Sequence, residues 1–225
     1  PPRVAIAAES LTPWFGQEET LDRIVAFGCR DVHLCASLIP NRIEFGPKEA
    51  WELRRRMDAL GLRAESMSTF PYRVDGPRYV DFLRRVIRSA PTLGLRIMNV
   101  YLFPFLAEDR DDANAIDQFA RALRPLMDEA AGCGLQFSLE PEYFDLTRDV
   151  AGMRRVLSRV AHPAFRVTFD ACNFYQGGEE AFPYAYESLR DVIAHVHLKN
   201  GSVFVEGRHP EDERALAFAP PFEHR

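Results

Sequence analysis

No stretch of the chain approaches the roughly 18–20 uninterrupted apolar residues of a membrane span, so no membrane partner is expected. There is no Cys-x-x-Cys pair either. Cys29, Cys35, Cys133 and Cys172 are irregularly spaced, which argues against a disulfide framework and for a reducing, cytoplasmic setting. Basic charge is not in surplus: 28 Lys and Arg stand against 33 Asp and Glu, a net charge of −5. Duplex-binding proteins show the opposite balance, so no nucleic-acid partner is expected. Pro1-Pro2-Arg3 leads straight into an apolar run, and no secretory leader is read from it. The first strand-to-helix turn, Glu9-Ser10-Leu11-Thr12-Pro13-Trp14, holds no G-x-G-x-x-G, and the chain has no G-x-x-x-x-G-K-[ST]. A dinucleotide fold and a phosphate-cradling loop of those types lose their fingerprints.

What remains is an ordinary globular composition of 225 residues, 47% hydrophobic and 27% charged, with 17 Phe. It is rich enough in apolar residues to exclude disorder and long enough for one barrel-sized domain over 1–225. Short apolar runs alternate with helix-like stretches. Strands are expected over Val4–Ala8, Asp31–Ala36, Leu62–Ser68, Arg96–Phe103, Leu135–Glu140, Phe165–Asp170 and Val192–Lys199. Helices are expected over Glu18–Phe27, Pro47–Leu60, Arg78–Ala90, Ala113–Ala131, Thr147–Val160 (capped by Thr147) and Glu179–Arg190, the last interrupted by Pro183. Strands alternating with helices imply a parallel sheet. Without the dinucleotide fingerprint, a closed α/β barrel fits better than a doubly wound sheet.

The last three strands carry the most information. Side chains alternate faces along a strand. Leu135, Phe137 and Leu139 oppose Gln136, Ser138 and Glu140. Phe165, Val167 and Phe169 oppose Arg166, Thr168 and Asp170. Val192, Ala194, Val196 and Leu198 oppose Ile193, His195, His197 and Lys199. A parallel strand buried on both faces should be apolar throughout. Here one face suits a helical layer and the other points polar groups into the barrel. The polar faces end in Glu140, Asp170, and His197 with Lys199, at the C-terminal strand ends where barrel active sites are built. Two carboxylates and an imidazole suit a divalent ion, Mn²⁺, Mg²⁺ or Zn²⁺. Such an ion beside a carboxylate base implies proton transfer next to a carbonyl. The alternative left open is that the carboxylates only pair with Arg166 and Lys199.

Three segments resemble the xylose isomerase-like TIM-barrel superfamily of sugar isomerases and epimerases, which also includes AP endonucleases. Ser138-Leu139-Glu140-Pro141-Glu142-Tyr143 is similar to its strand-five LEP segment. Val167-Thr168-Phe169-Asp170-Ala171-Cys172-Asn173-Phe174 is similar to its TFD-x-x-N-F segment. His195-Val196-His197-Leu198-Lys199-Asn200 is similar to its H-x-H-L-K-D segment, departing at Asn200. The resemblance implies a TIM (β/α)8-type barrel, with metal ligation by Glu140, Asp170 and His197 and acid/base work by Glu140. A second acid/base Glu on strand eight is implied too. Asn173 would face the substrate or a metal-bound water.

Residues 201–225 show no convincing eighth strand or final helix, so the barrel reads as truncated after its seventh strand. The edges this exposes favour association into a homo-oligomer. Around the mouth, Trp14 is a candidate apolar wall against a sugar or polyol. Glu142 and Lys199 are candidate substrate contacts. His195 reads as a supporting or core histidine, His33 as no ligand, and Tyr101 and Phe103 as packing. The function expected is a metal-dependent sugar or polyol isomerase or epimerase. Its competitors are a lyase of the same fold, an AP-endonuclease-like nuclease disfavoured by the acidic charge, and a non-catalytic truncated member.

Overall fold

The computed structural model describes residues 3–35, 45–71, 74–106 and 113–199. Seven strands appear in order: β1 Ile6–Ala7, β2 Asp31–Cys35, β3 Arg63–Ser68, β4 Ile97–Val100, β5 Gln136–Leu139, β6 Phe165–Asp170 and β7 Ile193–His197. Between them lie α1 Thr12–Ala26, α2 Pro47–Leu60, α3 Gly76–Leu93, α4 Ala113–Ala131, α5 Val150–Val160, α6 Ala171–Gln176 and α7 Tyr186–Leu189. All neighbouring strands are parallel, and their order in the sheet is their order in the sequence. A doubly wound sheet reverses its order at a switch point, and this one does not.

The sheet is curled. Laid flat, β2 and β7 would lie five strand spacings apart, about 24 Å. Instead the His33 ring on β2 stacks on His195 of β7 with centroids 5.2 Å apart, and meets His197 edge-on at 4.9 Å. Seven parallel strands therefore form a partial barrel of the α/β TIM type, as expected. The missing eighth strand was read on residues 201–225, which lie outside the described residues.

Alternation sorts the strands as expected. Met98, Val100, Phe137, Leu139, Val167 and Phe169 are buried on the outer face. They meet helix stripes such as Tyr79, Leu83, Val86 and Ala90 of α3, spaced by three and four residues. Burying one such side chain contributes roughly 1.5–3 kcal/mol. On β7 the expected packing is not met among the described residues: Val196 is 49% and Leu198 89% exposed.

Several boundaries differ from expectation. α1 starts before Glu18, but Gly16 (φ 68°) breaks its helical geometry, so only the later part shows the regular pattern. β4 stops at Val100, because Phe103-Pro104-Phe105 closes into a 3₁₀ turn. The expected helix over Glu179–Arg190 is divided at Phe182, whose backbone is extended, into a π turn over Ala181–Ala185, α7 and a 3₁₀ turn. The cap of α5 is Asp149, which accepts from the Gly152 N–H at 2.7 Å, and not Thr147. Thr147 instead ties down the preceding loop. A Cβ at Gly152 would lie 1.7 Å from the Leu146 carbonyl oxygen, so α5 packs on that loop only through glycine.

Candidate active site at the strand ends

Register aligns the inward side chains in tiers. Asn99 pairs with Ser138, Thr168 with His195, and Asp170 with His197. Ser68 pairs with Asn99 and His33 with Ser66. The upper tier brings Glu140, Asp170 and His197 together, with one ligand-capable atom from each within 4.8 Å of the others. Glu140 and Asp170 are buried, at 4% and 0% exposure. The three residues read as metal ligands from the sequence thus share one place.

Their charges are compensated within the chain. His197 Nδ1 lies 2.8 Å from Glu140 Oε1 and 3.8 Å from Asp170 Oδ2. The Lys199 ammonium lies 2.9 Å from Asp170 Oδ2. Lys199, and not Arg166, therefore provides the pairing that the purely structural alternative required. Burial alone would raise the Glu140 pKa, but the His197 charge and hydrogen bond hold it below the usual carboxylate range. Burial would lower the His197 pKa, and the Glu140 carboxylate foremost raises it to about 9. Burial raises the Asp170 carboxyl, partly offset by Lys199. Lys199 is itself pushed up, because Asp170 and the two glutamates outweigh its desolvation.

One Asp170 oxygen has a second task. Oδ1 caps α6 by accepting from the Asn173 N–H at 2.9 Å. Oδ2 is buried, with the Lys199 ammonium at 2.9 Å and His197 Nδ1 at 3.8 Å as its charged neighbours. A buried carboxylate oxygen beside a second carboxylate and an imidazole is a donor set that fits a divalent cation.

The other expected residues fall as follows. Asn173 is buried and engaged at both ends of its amide: Nδ2 donates to the Pro141 carbonyl at 2.7 Å, and Oδ1 accepts from Lys199 at 2.8 Å. Glu142 is buried two residues past Glu140, and its N–H donates to Thr147 Oγ1 at 2.9 Å. Burial, and then the Glu140 charge, push its carboxyl well above the usual range. Trp14 lies on the first turn of α1 and is 67% exposed. His195 lies inside the barrel, its pKa lowered to about 4 by burial and then by His197.

Five contributors were not read from the sequence. Tyr101, expected to pack, donates its hydroxyl to Glu140 Oε2 at 2.6 Å. Asn99 Nδ2 donates to the same oxygen at 3.1 Å and lies 3.3 Å from His197 Nε2. Thr168 Oγ1 donates to Asn99 Oδ1 at 2.9 Å, fixing the amide. Glu9, just past β1, accepts from Ser68 and lies near enough to Glu140 for their charges to interact. Burial and that repulsion raise its pKa. His33, set aside on sequence grounds, proves to be buried against both β7 histidines. Signals existed in the alternation of β2 and β4, where His33 and Asn99 stand between apolar neighbours.

The fold and site together define an α/β barrel with a polar centre at the C-terminal strand ends, the usual active-site position. Residues 21–222 match the family model described as xylose isomerase-like TIM barrel, and the chain belongs to that family. No protein of curated function matches it. Among solved structures, a probable 3-DHS dehydratase from Bacillus anthracis is similar with a TM-score of 0.67 and 13% identity, over 89% of this chain and 74% of that one. A xylose isomerase-like TIM barrel protein from Mycobacterium smegmatis, in complex with magnesium, gives 0.69 and 20%, over 82% and 66%. A 3-keto-D-glucoside 4-epimerase from E. coli gives 0.65 and 16%, over 90% and 82%. At such identities the likeness is one of fold. No helix among the described residues is long and apolar enough to cross a membrane.

Proposed function

We propose that the protein is a divalent-metal-dependent isomerase or epimerase that moves a proton next to the carbonyl of a sugar or polyol. The observation that carries this reading is the convergence of Glu140, Asp170 and His197 at the strand ends, both carboxylates buried and one ligand-capable atom from each residue within 4.8 Å of the others. Held by those three residues, a Mn²⁺, Mg²⁺ or Zn²⁺ ion would polarise a substrate carbonyl or hydroxyl. Glu140 is the proton carrier: it stays ionised, and Tyr101 and Asn99 fix the oxygen that faces them. The base is thereby oriented before substrate arrives.

Lys199 donates to a substrate oxygen once it leaves Asp170. Asn173 acts by holding Lys199 in place. Trp14 offers its exposed ring as a wall for a sugar face. The second proton carrier that the resemblance places on strand eight falls on residues outside the described ones. The irregular spacing of the four cysteines supports a reducing, cytoplasmic setting. Association into a homo-oligomer through the sheet edges, without nucleic acid or membrane, completes the proposal.

A lyase reading draws on Glu142, whose carboxyl is pushed by burial towards the neutral acid, a form that supplies a proton to a leaving hydroxyl. The test is incubation of metal-stripped, metal-reloaded protein with a panel of ketoses in D₂O. Deuterium at the carbon beside the carbonyl, dependent on added Mn²⁺, Mg²⁺ or Zn²⁺, is the expected result. Loss of water from a hydroxy acid instead, with no exchange into any ketose, selects the lyase. Neither reaction, together with no divalent-ion binding, overturns both.

A further inference from the structure

We propose that His33, His195 and His197 form a second cation site inside the barrel, suited to a nitrogen-preferring transition ion such as Zn²⁺ or Cu²⁺. It lies below the carboxylate cluster and does not depend on the function proposed above. One ring nitrogen from each of the three histidines lies within 4.8 Å of the others. The ring centroids are 5.2 Å apart for His33 and His195, 4.9 Å for His33 and His197, and 5.1 Å for His195 and His197. A tetrahedral zinc ion holding imidazoles at its usual bond length sets donor nitrogens about 3.4 Å apart. The donor atoms need to close by up to about 1.4 Å, and because His33 and His195 are stacked at 21° one of these rings must also turn to bring its in-plane lone pair onto the ion.

His33 is the second, independent observation. It is 2% exposed, and its Nδ1 lies 2.7 Å from Ser66 Oγ. Its Nε2 is buried with no hydrogen-bond partner among the described residues. With Nδ1–H donating to Ser66 Oγ, Nε2 carries the free lone pair, the arrangement in which a second partner fixes the tautomer of a metal-binding histidine. A buried polar atom left without a partner calls for an explanation, and an ion supplies one.

The donor sets of the two sites differ in kind. The upper set has two carboxylates and suits hard cations as well as zinc. The lower set is three imidazoles with no carboxylate among them, and imidazole suits zinc, copper, iron and nickel rather than magnesium. His197 belongs to both sets. Its Nδ1 faces Glu140, and its Nε2, 3.3 Å from Asn99 Nδ2, exchanges that contact for the ion in the lower site.

The experiment uses the full chain, stripped with a chelator and dialysed against Zn²⁺ or Mg²⁺. The double variant E140Q/D170N removes the charges of the upper site, while the amide oxygen it places at the head of α6 still accepts the capping hydrogen bond. It is expected to retain one Zn²⁺ per chain and to bind no Mg²⁺. Adding His33→Gln or His195→Gln to that background should weaken zinc binding by at least about tenfold. A double variant that binds no zinc, or zinc binding indifferent to both histidine substitutions, overturns the site. Should the double variant fail to fold, Cu²⁺-loaded wild-type protein decides by electron paramagnetic resonance. Hyperfine splitting from three nitrogens supports the site, and a single nitrogen overturns it. Absence of deuterium exchange into any ketose with Mn²⁺, Mg²⁺ or Zn²⁺, beside zinc binding that depends on His33 and His195, would remove the function proposed above and leave this site standing.

Discussion

The strand ends and the loop just beyond β5 treat buried carboxyls in opposite ways. Glu140 and Glu142 are two residues apart and nearly equally hidden, at 4% and 6% exposure. Glu140 is held ionised and Glu142 is pushed towards the neutral acid. The difference is the cation: His197 lies 2.8 Å from Glu140. Asp145, in the same loop as Glu142, has hydrogen bonds and, as the smallest influence on it, the Arg148 charge. Its Oδ1 accepts from the Thr147 N–H at 2.6 Å and the Thr147 hydroxyl at 2.5 Å. Burial still raises it to about 6. Burial therefore does not decide the charge of a carboxyl here. The placement of β7 does, because β7 brings the positive partners.

Removing the charge from Glu140 should break this contrast with the largest effect. Glu140→Gln is expected to cost roughly a thousandfold or more in any proton-transfer activity, as for loss of a general base that also holds a metal. It should also release the His197 proton. In metal-free wild type, His197 has a folded pKa raised to about 9. Its contribution to stability is full below about pH 6.5 and lost as pH rises towards 9. Thermal unfolding of Glu140→Gln across that window should be flat by comparison. A decline as steep as in wild type would show that Glu140 is not the partner that matters.

The next effect runs the other way in pH. Asp145 has a folded pKa of about 6, above its unfolded value near 3.8. Stability tied to this group is therefore present at low pH and falls as pH rises from about 4 to 6, by at most about 3 kcal/mol. Asp145→Asn should abolish that fall, seen as denaturant midpoints that no longer drop across the window. The smallest effect belongs to Tyr101→Phe, which removes one hydrogen bond to a charged oxygen, worth about 1.5–3 kcal/mol. The Glu140 carboxyl should then titrate higher, without loss of the fold. An unchanged titration by carboxyl NMR would reduce Tyr101 to packing.

Much of this was legible because alternation is strict where one strand face meets helices and the other the barrel interior. The inward and outward residues of β5 and β6 follow the sequence pattern one by one, and so do Glu140, Asp170 and His197. The supporting side was harder to read. Asn99 between Met98 and Val100, and His33 between Val32 and Leu34, show the same alternation. Each is a single polar residue in an apolar run, which sequence alone cannot separate from a satisfied core group. Tyr101 lies past the end of β4, where its partner can be known only from the curl of the sheet. Thr147 and Asp149 are both good capping residues, and only the position of Gly152 against Leu146 shows which one starts α5.

The contact between β2 and β7 also has a consequence in time. The two strands lie near opposite ends of the described chain, so the side-chain contact across the curled sheet is among the last that a growing polypeptide can make. During synthesis Glu140 and Asp170 leave the ribosome before His197 and Lys199. Until those cations arrive, the two carboxyls must stay solvated or take up protons. The chain cannot assemble its charged centre in stages, and an interrupted product would carry the acids without the means to bury them.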